Sequence, residues 1–97
     1  MKTKAKYAWR IIRDYLTPKG EEGYAAGKAG PSNSDGDPKA FEKREKFRLL
    51  DDDDQIYYAG EIGGDYDGFE PLDDFGAGWA GCTTVQYKNE AGEWEDL

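Results

Sequence analysis

The chain is 97 residues long, 35% charged and 14% aromatic, with a formal charge of −8, which points to one small domain whose core is built largely from rings. It has no histidine and a single cysteine, Cys82, which excludes Ser-His and Cys-His nucleophile pairs, imidazole metal ligands, an internal disulfide framework and the usual zinc sites. No apolar run is long enough to cross a bilayer, and the start MKTKAKYAWRIIRDYL is basic without a secretory signal's apolar stretch; with the lone thiol this points to the cytoplasm.

Ala8, Ile11, Ile12, Tyr15 and Leu16 follow the i, i+3, i+4, i+7, i+8 spacing of one buried helical stripe. With Thr3 as N-cap and Thr17-Pro18 and Gly20 as the stop, the spacing predicts a helix over about 4–16. Residues 18–40 are rich in glycine and proline and without periodicity, so they read as a long loop. PKAFEKREKF then offers a short helical turn before the first strand.

KFRLL and QIYYAGEI alternate as strands do, with Phe47 and Leu49 on one face, Ile56, Tyr58 and Ile62 sharing another, and Tyr57 opposite to them. Asp51, Asp52, Asp53 and Asp54 form the connection of this hairpin. A second hairpin joins CTTVQYKN to EWEDL through NEAG, placing Thr83, Val85 and Tyr87 on one face and Trp94 across from Val85 or Tyr87. Between the hairpins, Tyr66, Phe69, Leu72, Phe75 and Trp79 stud a segment rich in glycine and aspartate, as rings do when they tuck a loop against a core. The expected fold is α+β: one N-terminal helix packed on a four-stranded, mostly antiparallel sheet made of two hairpins, in a single domain spanning 1–97.

Charge is split along the chain. Residues 1–48 hold twelve Lys/Arg against seven Asp/Glu (+5), whereas 49–97 hold Lys88 against fourteen Asp/Glu (−13). A calcium loop of the EF-hand type fits neither aspartate cluster. With Asp51 at position 1, Ile56 and Ile62 fall where Gly and Glu are needed; with Gly68 at position 6, Gly63 falls at position 1. GAGWAG has the spacing of a dinucleotide fingerprint, but it follows no apolar strand and Asp73 and Asp74 precede it, so its glycines read as turn residues around Trp79. Nothing near Cys82 in sequence lowers its pKa, and it reads as a buried thiol at a strand start. No catalytic residue, metal ligand or cofactor site is expected, and the chain reads as a non-enzyme. The carboxylates at turns and strand ends suit a solvated face that needs no partner, the reading the residues alone favour, and next to it imitation of a nucleic acid's charge. Direct nucleic-acid binding by the basic N-terminal half is opposed by the acidic half.

FRLLDDDDQIYYAGEI, PLDDFG, GCTTVQY and the terminal EWEDL resemble small acidic proteins encoded by phages, plasmids and other mobile elements. The likeness covers about residues 47–97, with weaker support from YAWRIIRDYL, and carries no active site. It implies an inhibitor of host defence of the anti-CRISPR or anti-restriction type, acting in the cytoplasm of a bacterial host. On that reading an acidic, DNA-mimicking patch blocks nucleic-acid access to a CRISPR effector, or in second place a restriction enzyme. The basic N-terminal half argues for one localised patch over whole-surface mimicry. The expected contacts are Asp51, Asp52, Asp53, Asp54, Asp73 and Asp74, with Tyr57, Tyr66 and Trp79 as aromatic anchors; core packing is more expected for Trp79 than for Tyr57. The competing expectation is a regulatory or structural interaction module whose acidic surface is merely solvated.

Overall fold

Alternation of apolar and polar side chains, not helical periodicity, organises the chain from its N-terminal segment onward. The computed structural model describes residues 6–30 and 38–97. It contains β1 (Tyr7–Asp14), β2 (Ala29–Gly30), β3 (Arg44–Leu50), β4 (Ile56–Gly64), β5 (Thr84–Lys88) and β6 (Trp94–Asp96). They form one antiparallel sheet in the order β2-β1-β4-β3-β5-β6. A 3₁₀ turn at Pro38–Ala40 precedes β3, within the segment that offered a short helical turn. One helical segment, a π-turn Leu72–Gly76 running into an α-turn Ala77–Ala80, lies late in the chain.

This corrects the expected architecture: the N-terminal helix is strand β1, and the sheet has six strands instead of four. The proposed cap, Thr3, lies outside the described residues. The proposed helical stripe would have buried Ile12, Tyr15 and Leu16, yet these are 54, 53 and 49% exposed. The same residues also fit a strand with one bulge. Trp9 and Ile11 turn into the core, and Ile12 is skipped in the pairing between Ile11↔Gly60 and Arg13↔Ala59. Tyr7, Trp9 and the adjacent isoleucines favour that pleated surface, and pairing with β4 on one side and β2 on the other outweighs the helical spacing. The long 18–40 loop in turn supplies β2.

Both expected hairpins form. In β3–β4 the register runs from Arg44↔Gly63 to Leu49↔Tyr58, and a second bulge leaves Tyr57 unpaired before Leu50↔Ile56. In β5–β6, Trp94 lies opposite Lys88, and Glu95, not Trp94, opposite Tyr87. Phe47, Leu49, Tyr58, Ile62 and Val85 join Trp9 and Ile11 on one face, and Phe75 from the helical segment closes the core over them. Phe75 meets Tyr58 and Trp9 with ring centroids 5.1 and 5.6 Å apart. Gly60 makes that density possible: a Cβ there would stand 2.2 Å from the Arg10 carbonyl oxygen and 2.8 Å from Phe47 Cζ.

The sheet therefore has two unlike faces. One is roofed by the 65–82 segment. The other carries Ile12, Arg13, Lys46, Ala59, Glu61 and Trp94 around an open groove.

Candidate partner-binding surfaces

The Asp51–Asp54 connection is an ordered turn. Asp51 Oδ1 accepts from the backbone N–H groups of Asp53 and Gln55, both at 2.9 Å, and Asp54 N–H donates to the Asp51 carbonyl at 3.1 Å. These bonds, that from Gln55 foremost, hold the Asp51 carboxyl below its ordinary range, with further help from the Tyr57 hydroxyl. The same contact is the first cause of the raised Tyr57 phenol. Asp54 takes φ 61°, a left-handed conformation that aspartate tolerates. Asp51 and Tyr57 thus brace the turn, while Asp52, Asp53 and Asp54 are exposed.

Asp73 and Asp74 sit in the π-turn and are exposed. Asp74 Oδ2 accepts from Trp9 Nε1 and from the Tyr7 hydroxyl, both at 2.9 Å. Burial, that hydrogen bond and the charges of Asp74, Glu70 and Asp73 push the Tyr7 phenol up to about 12. Tyr7 pairs with Gly64 and Trp9 with Ile62, whereas Leu50, next to the aspartate turn, pairs with Ile56. Asp74 and the Asp51–Asp54 turn therefore stand towards opposite ends of β4, which is about 26 Å long at ~3.3 Å per residue. The two sets of expected contacts do not form one patch.

Tyr66 is engaged internally. Its hydroxyl donates to Glu45 at 2.5 Å, its ring stacks on Tyr87 at 6.3 Å, and the Lys43 ammonium lies 4.7 Å above it. Burial first, then the Glu45 contact, drives its phenol strongly upward. Trp79 reverses the expectation for it: it is 47% exposed, stacked on Phe75 at 5.6 Å, with Lys28 Nζ 4.3 Å above its ring. Tyr57 is the more enclosed of the two, packed against the core. Cys82 is buried, its thiol pushed up to about 11 by burial and then by the Asp51 charge, which leaves it a poor nucleophile.

Two groupings escaped the sequence reading. The first is a cleft of about 440 Å³ between β1, β2 and the helical segment, lined by Trp9, Lys28, Gly30, Asp74, Phe75 and Trp79. Strand alternation through Tyr7, Trp9 and Ile11 was the available signal for it. The second is the open face, where a groove of about 300 Å³ is lined by Ile12, Tyr15, Ala59 and Trp94 among others. There the Arg48 guanidinium lies 4.4 Å over Trp94, and its Nε donates to Gln86 Oε1 at 2.6 Å.

Among the described residues, no three carboxylate or thiol groups converge as metal ligands would, and no helix is long and apolar enough to cross a membrane. Comparison with protein-family models, curated proteins and solved structures returned no match to this chain.

Proposed function

We propose that the chain is a non-enzymatic inhibitor that binds a basic, nucleic-acid-handling defence protein of the bacterial host through its acidic roofed side. A CRISPR effector is the first candidate target and a restriction enzyme the second. The observation that carries this reading is the run of exposed carboxylates on braced backbone: Asp52–Asp54 on the turn fixed by Asp51, and Asp73 and Asp74 on a helical segment anchored through Trp9 and Tyr7. Carboxylates carried on braced backbone meet a Lys/Arg-lined surface without the cost of ordering the chain beneath them, and opposite charge speeds the encounter. The two ends of β4 would act as two contact points on an extended basic groove.

The test is capture of partners from a lysate carrying CRISPR and restriction systems, followed by elution in a salt gradient. A nucleic-acid-binding effector that leaves at moderate salt is the expected result. Neutralising Asp52, Asp53 and Asp54 together to Asn should lower the eluting salt and leave the thermal midpoint unchanged, since none of the three side chains braces the turn. Capture that survives both neutralisation and high salt would return these aspartates to a solvated turn.

The open face favours a second reading. Exposed Ile12 and Tyr15, which line one groove with Trp94, suit a regulatory interaction module whose partner is held by apolar contact and is indifferent to salt.

A further inference from the structure

The geometry points to the cleft between Trp9, Phe75 and Trp79 as a receptor for one organic cation, the guanidinium or ammonium of a partner's Arg or Lys side chain, which would take the place of Lys28. This deepens the acidic-surface reading and rests on it for the source of the cation.

Three features converge. The first is aromatic: Trp9–Phe75 and Phe75–Trp79 centroids are each 5.6 Å apart, so three rings line one continuous wall, and the outermost, Trp79, keeps nearly half its surface open. A π-face attracts cations, indole most strongly. The second is a carboxylate fixed at the same cleft. Asp74 is tied through Oδ2 to Trp9 Nε1 and the Tyr7 hydroxyl, so its position is set by the wall itself. Burial first, and then the hydrogen bond and charge of Asp74 and the charges of Glu70 and Asp73, raise the Tyr7 phenol beside it.

The third is an occupant. Lys28 Nζ lies 4.3 Å above the Trp79 ring, so the cleft already holds an ammonium from its own chain. The backbone of Lys28 is fixed, its N–H donating to Ala25 and its carbonyl accepting from Ile11 at 2.8 Å, but its side chain is exposed and reaches the ring on a flexible stem. An incoming guanidinium stacks on indole through its planar face and can donate to a carboxylate at once, which an ammonium on that tether does less well. Gly30 keeps the cleft open: a Cβ there would stand 2.4 Å from Trp9 Cζ2 and displace the indole.

The experiment is a titration of the ¹⁵N-labelled full chain with N-acetyl-arginine methylamide and, separately, tetramethylammonium chloride, with sodium chloride as the ionic-strength control. The indole N–H signals of Trp9 and Trp79 report on the cleft, and that of Trp94, on the opposite face, is the internal reference. Expected are saturable shifts of Trp9 and Trp79 with the arginine derivative, none of comparable size at Trp94, and about three- to fivefold tighter binding in Lys28→Met. Binding is lost in Trp79→Leu and weakened in Asp74→Asn; a folded spectrum of either variant is enough to read the result. Shifts reproduced by sodium chloride, or binding that Lys28→Met does not tighten, would overturn the receptor. Binding of tetramethylammonium without the arginine derivative would overturn a protein side chain as the source, in favour of a free quaternary ammonium compound. If the cleft binds arginine while the lysate partner ignores salt, the receptor stands and the acidic-surface reading falls.

Discussion

The two faces of the sheet are built from the same materials, aromatic rings and charges, arranged in opposite ways. On the roofed face the rings interlock, with Phe75 set against Trp9 and Tyr58; at its margin carboxylates are tied to phenols and an indole, and Lys28 and Lys43 lie over the outer rings, Trp79 and Tyr66. On the open face the rings stand apart, and cations lie over them: Arg48 over Trp94 at 4.4 Å and Arg13 over Tyr15 at 5.8 Å. Ring-to-ring contact excludes water and supplies stability; ring-to-cation contact leaves both groups at the surface and supplies little. The same composition therefore gives a core on one side and an adaptable surface on the other.

The largest effect expected from that contrast comes from Phe47, fully buried and packed across Gly60 on the roofed face. Phe47→Ala should cost about 3–5 kcal/mol in urea unfolding. A cost below ~1 kcal/mol would mean that the roof does not exclude water. Asp14 comes next. Its Oδ1 accepts from the backbone N–H groups of Leu16 and Thr17, and its Oδ2 from that of the fully buried Ala25, at 2.8–2.9 Å. One carboxylate thus folds back the loop that carries Lys28 to Trp79. Asp14→Ala should cost about 2–3 kcal/mol, the scale of bonds to a charged acceptor, and raise amide exchange over residues 15–28 more than in β3.

Raised phenols give the roofed face a pH signature. Tyr7 and Tyr58 are pushed up to about 12, and Tyr66 and Tyr87 higher still, burial being the first cause in each. The protonated phenol is the neutral form. Between the ordinary value near 10 and the raised folded value, the unfolded chain has lost a proton that the folded chain keeps. Stability from these groups is therefore complete below pH ~10 and falls as pH rises from there towards 12. A tyrosinate absorbance titration should show a delayed group of phenols that ionise together with unfolding. Titration of all seven tyrosines in one step near 10 would place none of them in a protected site.

What was legible in the sequence follows the same division. β3, β4 and β5 could be read because their alternation is unbroken where it matters, with Phe47–Leu49, Tyr58–Ile62 and Val85–Tyr87 each spaced by an even number of residues. β1 could not, because the bulge at Ile12 breaks the period of two and leaves a spacing that imitates a helix. The aspartates were found as a feature, but how their oxygens are used was hidden. Asp74 serves Tyr7 and Trp9 across 67 and 65 residues of chain, and no local pattern announces such a bond. Core packing was more expected for Trp79 than for Tyr57, because rings in a glycine-rich loop usually tuck against the core. The neighbour that is buried is Phe75, one turn earlier on the same face; Trp79 stacks on its outer side and is left to Lys28 and the solvent.

The smallest effect tests the open face itself. Trp94 holds β6 through a chain of side chains: Arg48 lies over its ring, Arg48 donates to Gln86, and Gln86 Nε2 donates to Asp96 Oδ1 at 2.5 Å. β6 is a three-residue edge strand, and none of these groups is fully enclosed, so water competes for each contact. Trp94→Ala should therefore cost under ~1 kcal/mol in the same urea unfolding used for Phe47→Ala. A loss above ~2 kcal/mol would make the ring part of a second core, with the groove beside it a packing defect. A small loss keeps the ring at the surface, where Ile12 and Tyr15 line the same groove. It also keeps Trp94 suitable as the reference against which the Trp79 cleft is judged, since its own cation, Arg48, is held by Gln86 as well as by the ring.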